Sequence, residues 1–296
     1  MINRTFYSIF QQGSRTYFYS SLFFPTSVKK DVFELYGFVR KADNYVDKIH
    51  QNSSDFYKFK NKYYQAVAGK ITGDVVIDSF VNLQNKKQFH QEWVDAFLHS
   101  MEMDLTKKTY ETLDETIEYI YGSAEVIGLM MSAILGLPKE SHIYAKYLGR
   151  AMQYINFIRD IAEDNTLQRI YLPAQELNEY GLHNLHYENI TNHPEEYTAF
   201  IRYQIQRYCE WQEYAEQGYR YIPKRYLISV KTAAEMYHWT AEQIHKNPMV
   251  VYQWKVKPLI SQIITTTLIN LIDPNNPKRK RTKNCAVQPY RIPNRI

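Results

Sequence analysis

Glycine is scarce in this chain, with ten residues in 296, and no glycine-rich phosphate loop is present. Runs of alternating apolar and polar residues are also rare, which argues against a dinucleotide-binding or P-loop α/β fold and favours helices. Only two cysteines occur, Cys209 and Cys285, far apart and without metal-ligand spacing. A disulfide framework is therefore not expected, and a cytoplasmic location is the default. The N-terminus lacks an apolar core of signal-peptide type. The longest membrane-like stretch, Ile117 to Leu137, is broken by Glu118 and Glu125 and reads as a buried helix.

What is present is helical periodicity. Helices are expected at about 31–50, 55–68, 90–100, 114–136, 139–165, 195–221, 225–245 and 256–272, separated by Pro138, Pro173, Pro194, Pro223 and Pro248. One helical domain over residues 1–273 is followed by a basic tail, 274–296, which includes Lys278-Arg-Lys-Arg-Thr-Lys283. The tail reads as a flexible, solubilising end. The sharper alternative is attraction to anionic lipid headgroups, a peripheral contact that an enzyme releasing a long hydrocarbon could use. Nothing points to a nucleic-acid partner, and the oligomeric state is left open.

Two carboxylate stripes stand out. Asp43 and Asp47 are four apart on a helix, with Arg40 and Tyr36 on the same face. Asn156, Asp160 and Asp164 repeat the step, flanked by Gln153 and Arg159, inside an otherwise apolar segment. A lone DxxxD is usually a solvated surface pair. A row of carboxylates in an apolar helix needs cations. Hard oxygen ligands of this kind suit Mg²⁺, with Mn²⁺ as a substitute, bridged to a diphosphate. Arg40, Arg159 and Arg169 could add charge to the phosphates.

At these residues the chain resembles the squalene/phytoene synthases. Tyr36-Gly-Phe-Val-Arg-Lys-Ala-Asp-Asn-Tyr-Val-Asp47 is similar to the family's first aspartate-rich motif. Asn156-Phe-Ile-Arg-Asp-Ile-Ala-Glu-Asp164 with Arg169-Ile-Tyr-Leu-Pro173 is similar to the second, and is the more specific of the two. Gly13-Ser-Arg-Thr-Tyr-Phe-Tyr19, Met101-Glu-Met-Asp-Leu105 and Tyr121-Gly-Ser-Ala-Glu-Val-Ile-Gly-Leu-Met130 resemble, in order, its N-terminal Ser-rich segment, a flap region, and a small-residue helix break beside the cavity.

The resemblance implies a single all-α isoprenoid-synthase bundle around a central apolar cavity. It implies Mg²⁺ on Asp43, Asp47, Asn156, Asp160 and Asp164. It also implies diphosphate or cation contacts from Ser14, Arg15, Tyr17, Tyr36, Arg40, Tyr121, Gln153, Arg159, Arg169 and Tyr237. The reaction it implies is head-to-head coupling of two isoprenoid diphosphates through a cyclopropylcarbinyl diphosphate. The Arg-x-Tyr-Leu-Pro continuation leans towards phytoene formation from two geranylgeranyl diphosphates, without NADPH. The alternatives are dehydrosqualene or squalene formation from farnesyl diphosphate and, less favoured, a non-catalytic helical assembly factor.

Two departures are visible. Asn44 stands where many relatives carry an acidic residue. After Tyr237, the expected basic stretch is replaced by Asn247 to Trp254, leaving Lys255 or Lys257 to substitute.

Overall fold

The computed structural model describes residues 3–47 and 51–273. The first half of the chain forms α1 (Arg4–Gly13), α2 (Arg15–Ser21), α3 (Thr26–Val46), α4 (Ser53–Val67), α5 (Val75–Lys87), α6 (Gln91–Thr106), α7 (Leu113–Ile120) and α8 (Val126–Leu135). The second half forms α9 (His142–Arg159), α10 (Ile161–Thr166), α11 (Ala174–Glu179), α12 (Tyr187–Asn192), α13 (Pro194–Glu216), α14 (Lys224–Lys246) and α15 (Ile260–Ile272). No strand occurs among the described residues. An isolated parallel bridge joins Thr109 to Ile170.

Local chemistry sets the helix starts. The Asp74 carboxylate accepts from the backbone N–H groups of Val76 and Ile77 and caps α5, a helix the periodicity did not mark. The Ser14 hydroxyl accepts from Tyr17 N–H and caps α2, and Pro194 opens α13 where its missing N–H costs nothing. The helix expected at 31–50 begins earlier, at Thr26 after Pro25, and ends at Val46, with 48–50 outside the described residues. The helix expected at 139–165 bends at Asp160 (φ −99°, ψ 10°).

Two cores form. Phe38 stacked on Phe80 (3.7 Å between ring centroids) marks one, and Phe157 stacked on Tyr171 (4.4 Å) marks the other. Helix α9 packs against α8, α13 and α14 and against the turn Tyr121–Glu125 that precedes α8, where a Cβ on Gly149 would sit 2.4 Å from the Ala124 carbonyl oxygen. Between α7 and α8 the chain makes one π turn, Tyr121–Glu125, at the small-residue break the resemblance implied. Glu125 in that turn is buried against Arg150 (2.6 Å) and Lys146 (3.2 Å), so the stretch is a buried helix as expected. No helix among the described residues is long and apolar enough to cross a membrane. The basic tail and Cys285 lie outside the described residues. Cys209 is disulfide-bonded, contrary to the expectation that no disulfide forms.

Candidate active site

The two cores flank one cavity of about 850 Å³. Leu35, Phe97 and Met101 line it from the first core, and Met152, Phe157 and Ala233 from the second. Both carboxylate stripes open onto it, Asp43 and Asp47 from the end of α3, Asn156 and Asp160 from the end of α9, and Asp164 from α10. The bend at Asp160 preserves the second stripe, because Asp160 N–H still donates to the Asn156 carbonyl and Asp164 N–H to the Asp160 carbonyl, each at 2.8 Å.

Cationic side chains hold these carboxylates. Arg40 pairs with Asp43 at 2.5 Å, and Arg159 with Asp160 at 2.8 and 2.5 Å. Lys255 reaches Asp160 at 3.1 Å and also pairs with Glu163. Of the two residues considered for the altered C-terminal segment, Lys255 stands beside Asp160, and both Lys255 and Lys257 line the cavity.

Electrostatics place the two stripes against each other. Desolvation raises the Asp43 carboxyl well above the ordinary carboxylate range, and Asp47 adds repulsion that the Arg40 cation offsets in part. Asp164 is raised by desolvation and then by Asp160 and Asp47, so Asp47 acts on a carboxylate of each stripe. Burial would also raise Asp160, but Arg159 and Lys255 outweigh it and hold that carboxyl low.

Arg15, Tyr17, Tyr36, Gln153 and Tyr237 also line the cavity. The Tyr17 and Tyr237 rings lie 5.5 Å apart, Tyr17 donates to Met152 Sδ at 3.4 Å, and Tyr36 stacks on Phe10 at 3.9 Å. Ser14 reaches the cavity, although its hydroxyl also caps α2.

Two expected residues stand elsewhere. Tyr121 is absent from the lining: it packs against the first core with the Lys146 ammonium 5.2 Å from its ring centroid, because the π turn directs Ser123 and Ala124 inward instead. Arg169 is 1% exposed and also stands behind the wall. Its guanidinium donates to Asp47 Oδ1 (2.8 Å), the Val46 carbonyl (2.6 Å), the Asp104 carbonyl (3.0 Å) and the Tyr171 hydroxyl (3.0 Å).

The segment around Asp104 is the buried last turn of α6 and not a free flap. Asp104 accepts from the hydroxyls of Tyr119 and Tyr171, each at 2.7 Å. Burial pushes its carboxyl up to about 6, Arg169 pulling it down and Asp47 pushing it further up. Asp104 stood inside a quoted motif, but nothing local marked it as the partner of Arg169.

The donors fit a hard divalent cation. The Asn156 side-chain oxygen is buried without a hydrogen-bond partner, and burial, with repulsion from nearby carboxylates, raises Asp43 and Asp164 well above the ordinary carboxylate range. Among the described residues, no three His, Cys, Asp or Glu side chains lie close enough together to hold a metal ion, and Asp43, Asp160 and Asp47 pair with Arg40, Arg159 and Arg169. A di-iron bundle fits less well. It would spread Glu-x-x-His pairs over two helices, whereas Glu235–His238 and Glu242–His245 both lie on α14.

Comparison with known proteins identifies the family. Residues 10–261 match the family model described as squalene/phytoene synthase. The chain is 26% identical over 255 residues to 15-cis-phytoene synthase from a Paracoccus species, covering 83% of each chain. It is 26% identical over 183 residues to 4,4'-diapophytoene synthase from Staphylococcus haemolyticus, covering 60% of this chain and 64% of the other. A solved dehydrosqualene synthase in complex with a ligand has the same fold, with a TM-score of 0.75 at 20% identity over 90% of this chain and 95% of the other. The chain belongs to the squalene/phytoene synthase family and is an enzyme of prenyltransferase type.

Proposed function

We propose that this chain couples two molecules of geranylgeranyl diphosphate head to head to give phytoene, releasing two diphosphates, as a step of carotenoid biosynthesis. The observation that carries this reading is a single cavity with an apolar interior and two facing carboxylate stripes interleaved with arginines. Such a cavity can receive two hydrocarbon chains while their diphosphates stay at the charged end.

Asp43, Asp47, Asn156, Asp160 and Asp164 would hold Mg²⁺. Bound there, the metal would neutralise the leaving diphosphate as a Lewis acid. Arg15, Arg40, Arg159 and Lys255 orient the phosphates and balance their charge. In the first half-reaction a carbon–oxygen bond breaks and its electron pair leaves with diphosphate. The second substrate's double bond attacks the allylic cation, and loss of one proton closes the cyclopropylcarbinyl diphosphate, prephytoene diphosphate. In the second, the other diphosphate leaves, the cation rearranges, and a second proton is lost. Two protons leave and no hydride enters, so the product needs no NADPH. Tyr17, Tyr36, Tyr237 and Phe157 border the space where the cations form, offering π faces and keeping bulk water out.

A second reading, coupling of two farnesyl diphosphates to a C30 product, is favoured by the similarity to a diapophytoene synthase. Product identification with each substrate separates the two.

A further inference from the structure

Helix α9 borders the cavity along its whole length. Tyr144, Leu148, Met152, Asn156 and Asp160, each four after the last, line it from the first turn of the helix to the carboxylate at its end. The neighbouring helices run antiparallel to α9 and fix what surrounds its start. Gly128 lies against Ala145 and Gly149 against Ala124, where an added Cβ would meet a carbonyl oxygen at 2.2 and 2.4 Å. On α13, Gln204 accepts from the Tyr154 hydroxyl, and the Tyr214 ring lies 5.3 Å from that of Tyr144. Leu137, after α8, and Gly218 and Ile222, after α13, therefore gather with Tyr144 at the end of the cavity away from the aspartates.

Tyr144 is the first α9 residue on the cavity face, and its neighbour Ile143 and its partner Arg220 are exposed. Its ring thus stands between the cavity and solvent, and it is held in place from outside. A Cβ on Gly218 would lie 2.4 Å from Tyr144 Cβ, so the turn after α13 is pressed against the tyrosine. Arg220 in that turn donates to the hydroxyls of Tyr144 (3.0 Å) and Tyr221 (3.1 Å). Its guanidinium carbon lies 5.4 Å from the Tyr144 ring centroid and 4.9 Å from that of Tyr221, within cation–π range of both.

Helical rise turns this placement into a length. At 1.5 Å per residue, Tyr144 stands about 18 Å from Asn156 and about 24 Å from Asp160 along the axis. An extended isoprene unit, four bonds near 1.5 Å in zigzag, adds roughly 5 Å. A chain of four units, about 20 Å, reaches the Tyr144 ring from a diphosphate held between those two residues. A chain of three units ends near Leu148, one turn short, and a fifth unit would have to displace the ring.

We propose that Tyr144, clamped by Arg220, is the specificity-determining residue for chain length, admitting a C20 prenyl chain and barring a C25 chain. The inference rests on the reading of the cavity as a prenyl diphosphate site.

The test is equilibrium binding, by calorimetry with Mg²⁺, of the C15, C20 and C25 prenyl thiodiphosphates, whose sulfur-bridged leaving group ionises slowly. Wild type should bind C20 best, with C25 about tenfold or more weaker. Tyr144→Ala should bind C25 within about threefold of C20, whereas Tyr144→Phe, which keeps the ring, should keep the wild-type order. Leu148→Phe should weaken C20 about tenfold and leave C15 unchanged. Binding of C15 as in wild type shows that a variant is folded. Arg220→Ala, which frees the ring without removing it, should improve C25 binding and serves if Tyr144→Ala does not fold. The proposal is overturned if wild type binds C25 as tightly as C20, or C20 no better than C15. It is also overturned if Tyr144→Ala, or Arg220→Ala in its place, discriminates as wild type does. Hydrocarbon product is a separate readout. A cut-off that moves with Tyr144 in a protein that makes no phytoene would refute the proposed reaction alone, and phytoene synthesis with a cut-off indifferent to Tyr144 would refute this proposal alone.

Discussion

Arg169 Nη1 lies 2.8 Å from Asp47 Oδ1, so the Arg-x-Tyr-Leu-Pro segment after the second aspartate motif is fastened to the first motif, 122 residues away. The same guanidinium binds the carbonyls of Val46 and Asp104. Ile170 N–H donates to the Lys108 carbonyl and Ala174 N–H to that of Tyr110, which holds the segment flat against the end of α6. Arg169 is thus a positioning residue, setting where α3 ends and where Asp47 stands.

Removing that anchor should be costly. Arg169→Ala leaves the buried Asp104 carboxylate and two carbonyls without their cation, and should destabilise the fold by about 3–5 kcal/mol in denaturant titration. Arg169→Lys should recover only part of this, because an ammonium cannot reproduce the planar fork. An Arg169→Ala protein of wild-type stability would contradict the assignment.

The aspartates should behave oppositely. Asp43→Asn and Asp160→Asn each remove a donor at the cavity, and turnover should fall by at least about a hundredfold. Asp43→Asn also relieves repulsion with Asp47, so its metal-free stability should equal or exceed that of wild type. Thermal melts and product yield separate the two effects. Full activity in both variants would refute the proposed metal ligands.

A pH dependence follows from the raised Asp43 and Asp164 carboxyls. Carboxyls whose folded values exceed their unfolded ones, near about 4, contribute stability that is full below the unfolded value. That contribution is lost as pH rises through the folded values. Metal-free protein should therefore lose stability over that interval, and Mg²⁺ should restore it. Mg²⁺ binding should release protons and tighten as pH rises until both groups are ionised. Calorimetry in buffers of different ionisation enthalpy measures the protons released, and zero release across that interval would contradict the assignment.

Gly149→Ala should fail for a purely steric reason. The added methyl would meet the Ala124 backbone at 2.4 Å, where no side-chain rotation gives relief. We expect a loss of about 1–3 kcal/mol, read from denaturant midpoints. An unchanged midpoint would show that α9 and the π turn are less closely packed.

Legibility in the sequence followed the range of the interactions. The second aspartate stripe was readable because Asn156, Asp160 and Asp164 sit at helical spacing, and the bend at Asp160 leaves that register intact. Helix α5 was not, because Val75-Val76-Ile77 looks like a strand start until Asp74 is seen capping it. The burial of Arg169 depends on partners more than sixty residues away, and no local pattern encodes them. The displacement of Tyr121 follows from the π turn, whose extra residue rotates the helix face. Helix α15 carries apolar residues on most sides, so periodicity could not tell which ones face outward.

The most direct measurement is identification of the hydrocarbon made by purified protein with Mg²⁺ and either geranylgeranyl or farnesyl diphosphate, with and without NADPH. The proposed function predicts phytoene from geranylgeranyl diphosphate, with yield independent of NADPH. Product from farnesyl diphosphate alone would contradict the phytoene assignment, and no coupled product from either substrate would contradict head-to-head synthesis itself.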